Sequence, residues 1–288
     1  MMVHSVAQRF TQWIVICVSY SGALVLMMDA LHAQEMQYPL SVAVATDNSL
    51  YVADRLLPGI WKITEGKAKL FYQGDKKFRT PLNAVRTVAV SNEGRVFAGD
   101  SSTREIYSID SNGKATPLTD GRIGIPVDIA INAAGDLFVS DLETQRIWKV
   151  ASGGGEPKEV VTLAAPRGLF VDKKDRLWAI AASGDQPLVR VGNDGTVEPV
   201  VRERIFHFPH DVVVGDDGTA FVSDNYARAI WKVTSDGKAT QWISGDPLMG
   251  PVGLALHNDL VVIADPQSKA IFQCDRDGKP IRVASDVP

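Results

Sequence analysis

Cysteine is nearly missing from this chain: 288 residues hold two, Cys17 and Cys274. Cys17 lies in an N-terminal apolar run, so a product cut after that run keeps one thiol and has no internal disulfide. Packing must therefore hold the fold. A basic cluster is missing too. The 30 Lys and Arg are spread along the chain against 34 Asp and Glu, giving a formal net charge of −4, which excludes the electrostatic footprint of a nucleic-acid binder. No apolar run reaches the ~20 residues of a membrane-spanning helix. The run over 13–28, with Arg9 before it and the small residue Ala33 after it, reads as part of a secretory signal peptide over 1–33, with a retained membrane anchor as the second choice. Cys17 follows Ile14, Val15 and Ile16, which is not the small-residue context of a lipid attachment. The remainder, 34–288, is expected to be exported to the periplasm or the medium, without membrane contact beyond the signal segment.

What is abundant is repetition. The segments "SLYVADRLLPGIWKI", "RVFAGDSSTREIYSI", "DLFVSDLETQRIWKV", "TAFVSDNYARAIWKV" and "LVVIADPQSKAIFQC" share an alternating apolar run, an aspartate, five residues and a second apolar run. The aspartates, Asp54, Asp100, Asp141, Asp224 and Asp265, are 46, 41, 83 and 41 residues apart. The long gap holds a hidden copy, "RLWAIAASGDQPLVRV", with Ala181 at the aspartate position. Each copy opens with another short apolar run ("SVAVA", "DVVVG") and closes with a fourth ("AKLFYQ", "ATQWIS"), with turn signals such as "NAAG", "SDGK" and "RDGK" between runs. Four short strands in each of six units predict an all-β six-bladed β-propeller, four antiparallel strands per blade, over 34–288. Trp61, Tyr107, Trp148, Trp231 and Phe272 recur at one position of the third strand and are expected to fill the wedges between blades. The repeated aspartates are expected to accept backbone N–H bonds in the turns. No strand is shared between the two ends of the ring, so closure depends on packing between the first and last blades, helped by "QEMQY".

The repeat, a proline-led first strand, a glycine turn, then an apolar strand, aspartate and an "RI"-like continuation, resembles the NHL-repeat propellers. It is also similar in shape to the gluconolactonase/regucalcin and virginiamycin B lyase propellers. The resemblance implies the fold; for function it is broad, because such propellers include lactonases, lyases, sensors and scaffolds. Lactonases of this shape hold a divalent cation with acid and asparagine side chains. This chain has Arg86, Val127 and Arg167 at the corresponding places and no glutamate before Pro39, so metal-dependent lactonase activity is not expected. The lyases use histidines at this face, and "PHDVVV" resembles their strand-start histidine.

Departures from the repeat locate the candidate site. The two residues after each leading position are Leu40 and Ser41, Arg86 and Thr87, Val127 and Asp128, Arg167 and Gly168, His210 and Asp211, Val252 and Gly253. All are expected at the channel mouth. Arg86 and Arg167 suit an anionic group, with Asp128 and Asp211 beside them as further ligand-binding candidates. His210 is the candidate acid/base, oriented by Asp211 or Asp128. The alternative is that the arginines pair with the aspartates and seal the channel. His207 reads as a loop residue, and His257 falls at the opposite end of the channel. No metal and no cofactor are assigned. Two functions follow: a monomeric binding module for a protein, a peptide or an anionic small molecule, or a metal-independent lyase or hydrolase that holds an anionic substrate with Arg86 and Arg167.

Overall fold

The computed structural model describes residues 35–284 apart from 258, 259 and 276; the expected signal segment over 1–33 lies outside the described residues. Twenty-four strands form six four-stranded antiparallel sheets, each taking its strands in chain order with none exchanged between sheets. The blades cover 39–73, 85–117, 126–162, 166–201, 209–244 and 253–284. Their first strands, Pro39–Val44, Val85–Val90, Pro126–Ile131, Pro166–Val171, Pro209–Val214 and Gly253–His257, line the axis, and each packs on the next until the sixth meets the first. The expected six-bladed propeller is the observed architecture, hidden fourth copy included.

The core lies between blades. Second strands such as Leu50–Asp54, Val96–Asp100, Leu137–Asp141 and Leu177–Ala181 are buried along their whole length. A sheet with a neighbour on each face buries both sets of alternating side chains, so these strands read as nearly continuous apolar runs. One cluster joins Trp178, Ile180 and Leu188 of blade four to Val212, Val214 and Val222 of blade five. Each fully buried Val, Leu or Ile contributes about 1.5–3 kcal/mol.

The five repeated aspartates are fully buried. Asp224 accepts the backbone N–H groups of His207 (2.8 Å), Phe208 (2.9 Å) and Ala227 (3.2 Å) and the indole N–H of Trp231 (3.2 Å). Asp141 does the same with Gly124, Ile125, Glu143, Thr144 and Trp148. Each carboxylate ties the loop before the first strand to the loop after the second. The recurrent tryptophans serve this knot as well as packing between blades. Ala181 leaves blade four without it.

Among the described residues no strand is shared across the seam between blades six and one. At the mouth side, Lys269 Nζ reaches Gln37 Oε1 (3.3 Å), so part of "QEMQY" does take part in closure. At the opposite side, His257 Nε2 lies 3.1 Å from Asn48 Oδ1. Along the axis, Gly253 presses on blade one so closely that an added Cβ would stand 2.7 Å from the Leu40 carbonyl oxygen.

Candidate functional site at the channel mouth

Five of the six first strands begin with a register shift against the second strand. Pro39 pairs with Asp54 but Ser41 with Ala53, and Val85 pairs with Asp100 but Thr87 with Gly99; Leu40 and Arg86 are skipped. The same irregularity passes over Val127, Arg167 and His210. A bulged residue leaves the ladder and its side chain is re-aimed, here into the channel mouth. Eleven of the twelve residues named from the repeat line one cavity of about 40 Å³: Leu40, Ser41, Arg86, Val127, Asp128, Arg167, Gly168, His210, Asp211, Val252 and Gly253. Thr87 is the exception, and it contacts the site through a bond to Asp128.

Arg86, Arg167 and His210 therefore converge. The arginines do not pair with the aspartates: among the described residues neither guanidinium has a hydrogen-bond or ion-pair partner, and the Nε of each is buried without one. Burial, then the charges of Arg55 and Arg167, push the Arg86 guanidinium down to about 10, and burial lowers Arg167. Both remain cationic at neutral pH. Arg167 lies over the Phe208 ring (4.5 Å), which meets His210 edge-on (5.1 Å) and stacks on Tyr226 (4.6 Å).

Asp128 and Asp211 line the cavity and also bond between blades. Asp128 accepts the Thr87 hydroxyl of blade two (3.0 Å) and the Leu169 N–H of blade four (2.8 Å). Asp211 accepts the N–H of its neighbour Val212 (2.7 Å) and that of Leu254 in blade six (2.7 Å). Ser41 Oγ makes the equivalent bond, accepting Val88 N–H (3.2 Å). This register position is a latch between blades. Burial strips both carboxylates of water and raises both, and Asp211 is raised further by the charge of Asp128. Neither orients His210, whose ring has no hydrogen-bond partner among the described residues. Burial, then Arg167 and Arg86, hold His210 down to about 3. The sequence suggested a histidine that titrates near neutrality; the free site instead holds a neutral imidazole.

His207 is an exposed loop residue that bonds through its backbone, and His257 lies at the far end of the channel. A second cavity of about 750 Å³ opens there, walled by the first strands, and Asp128 borders both cavities. The positions where a lactonase-type cation would bind do not fit one: two guanidinium groups share the funnel. Among the described residues no three His, Cys, Asp or Glu side chains are grouped to hold a metal, and no helix is long and apolar enough to cross a membrane.

Three residues of the site were missed in the sequence: Arg55, Phe208 and Tyr226. The residues following the repeated aspartate or its Ala181 substitute are Arg55, Ser101, Leu142, Ala182, Asn225 and Pro266. Arg55 is the charged departure in that column, and Tyr226 is the aromatic departure in the next. Aligning these loops as the first strands were aligned would have found both.

No protein-family model matches the chain, so the NHL resemblance gains no support there. A stretch of 183 residues, 60% of the chain, is 26% identical to virginiamycin B lyase of Nocardia farcinica (strain IFM 10152) and spans 62% of that protein, less than two thirds of its length. The solved virginiamycin B lyase from Staphylococcus aureus superposes with a TM-score of 0.66 at 16% identity, covering 86% of this chain and 85% of that one. A gluconolactonase from Xanthomonas campestris gives 0.70 at 15% identity, covering 84% and 86%. These likenesses show a common propeller fold.

Proposed function

We propose that the chain is an enzyme of the lyase or hydrolase type that takes an anionic small molecule at the channel mouth, with no step routed through a metal. One observation carries the reading: Arg86, Arg167 and His210 meet at a single cavity in which both guanidinium groups lack an anionic partner. The partial sequence likeness to a virginiamycin B lyase supports a lyase-type activity. A pure binding module would use the two arginines in the same way; the placement of His210 beside them and the partial likeness to a lyase favour the enzyme reading.

The chemistry follows from the charges. A carboxylate or phosphate between the arginines gains charge-assisted hydrogen bonds. It also offsets the arginine charges, which add to burial in keeping His210 unprotonated. His210 lies beside that anion as the candidate acid/base, and burial together with the two arginine charges keeps its imidazole in the proton-accepting form.

The test is calorimetric titration with propanoate and inorganic sulfate. Arg86→Met and Arg167→Met should each weaken binding roughly 10- to 100-fold, the effect of losing a hydrogen bond to a charged group. In a turnover screen of carboxylate-bearing esters, lactones and amides, His210→Gln should keep propanoate affinity and lose turnover. Equal affinity in the wild type and both arginine variants overturns the reading.

A further inference from the structure

The mouth cavity, at about 40 Å³, is lined by Arg86, Arg167 and His210, and the loops around it offer a larger surface to the rest of a substrate. Four of the six large apolar side chains exposed among the described residues are on loops of this face: Leu56 (60%), Phe78 (76%), Tyr226 (70%) and Met249 (42%). Tyr226 is tied to the cavity. Its ring stacks on Phe208 at 4.6 Å with the planes 17° apart, and Phe208 carries the Arg167 guanidinium at 4.5 Å. Those two contacts limit the span from guanidinium carbon to Tyr226 ring centre to roughly 9 Å, about two stacking distances. The loop holding Tyr226 is itself fixed, because Asp224 accepts the Ala227 N–H (3.2 Å) and Asn225 bonds back to Phe208 (3.1 Å). Leaving a tyrosine this exposed gains little for folding, yet its backbone is anchored on both sides.

Building on the proposed function, we infer that Tyr226 and Phe208 form a stacking subsite beside Arg86 and Arg167, which selects carboxylates carrying an aromatic ring. The arginines take the carboxylate. The ligand's ring lies on the face of Tyr226 turned away from Phe208, with Phe208 as its backing. A free aromatic acid and the C-terminal aromatic residue of a peptide share this chemistry.

The experiment titrates the full chain with propanoate, 3-phenylpropanoate and a tripeptide ending in phenylalanine. Wild type should bind 3-phenylpropanoate roughly three- to tenfold more tightly than propanoate, the contribution of one aromatic pair. Tyr226→Ala should erase that preference, the ratio of 3-phenylpropanoate to propanoate affinity falling to about one; Tyr226→Phe should restore the preference. Thermal melts of each variant report folding separately. Tighter binding of the peptide than of 3-phenylpropanoate identifies a peptide terminus as the source, and the reverse a free acid. If propanoate binds through the arginines but the aromatic acids gain nothing, or Tyr226→Ala keeps their advantage, the subsite is refuted while the anion site stands. If no carboxylate binds, both fall.

Discussion

His210→Gln should make the protein more resistant to acid unfolding. In the folded chain the imidazole is held down to about 3 against an ordinary value of 6.5. A depressed histidine contributes stability that is fully present above the unfolded value and is lost as pH falls through it, because the unfolded chain then binds a proton that the native chain refuses. Each unit of pKa difference corresponds to about 1.4 kcal/mol. Between about pH 7.5 and pH 4.5 the loss from His210 therefore comes to about 3 kcal/mol, against a typical total stability of ~5–15 kcal/mol. Asp128 and Asp211 act in the opposite sense. Their raised pKa contributes stability at low pH that disappears as pH rises through it. They titrate in both proteins and cancel in the difference. The assay is urea unfolding of wild type and His210→Gln across that range, in a buffer free of carboxylate, phosphate and sulfate. The expected result is a gap in unfolding free energy that shifts toward the variant by about 3 kcal/mol on acidification. Parallel profiles would refute the argument that burial and the two arginines keep His210 neutral.

The remaining expectations concern the frame of the site. Asp224→Ala and Asp141→Ala should each lower stability by about 2–4 kcal/mol, since each strands several buried N–H donors. Asp224→Ala alone should also lose propanoate binding, because only that carboxylate holds the loop of His207 and Phe208; calorimetry on both variants separates the effects. Cys274 is fully buried and its thiol is pushed up to about 12 by burial and by Asp275. Iodoacetamide should leave it unmodified in the native protein and label it in urea, as read by peptide mass mapping. Gly253→Ala should cost about 1–3 kcal/mol by forcing a methyl against the Leu40 carbonyl, measured as a lower unfolding midpoint.

The fold was legible because a propeller writes its architecture into the sequence. The spacing of Asp54, Asp100, Asp141, Asp224 and Asp265 marks the blades, and the apolar run around Ala181 betrays the sixth although its aspartate is gone. Placement of Arg86, Arg167 and His210 was legible for the same reason: equivalent positions in a ring converge on its axis. What those neighbours do was not. Whether a carboxylate at the latch position points at a ligand or at the next blade's backbone depends on bonds across 41 or 43 residues, and no local pattern records them. The state of His210 was hidden as well, since desolvation and the nearby guanidinium charges arise only when blades two, four and five are brought together. Tyr226 escaped because its loop was treated as a connection.

The seam between blades six and one borders the mouth. Among the described residues the ring is joined there by side-chain contacts rather than by a woven strand. Leu40 and Ser41 stand on one lip of the seam, Val252 and Gly253 on the other, and all four wall the cavity. A ligand that binds only the closed ring stabilises it by mass action, so occupancy of the funnel should raise the unfolding midpoint of the whole ring.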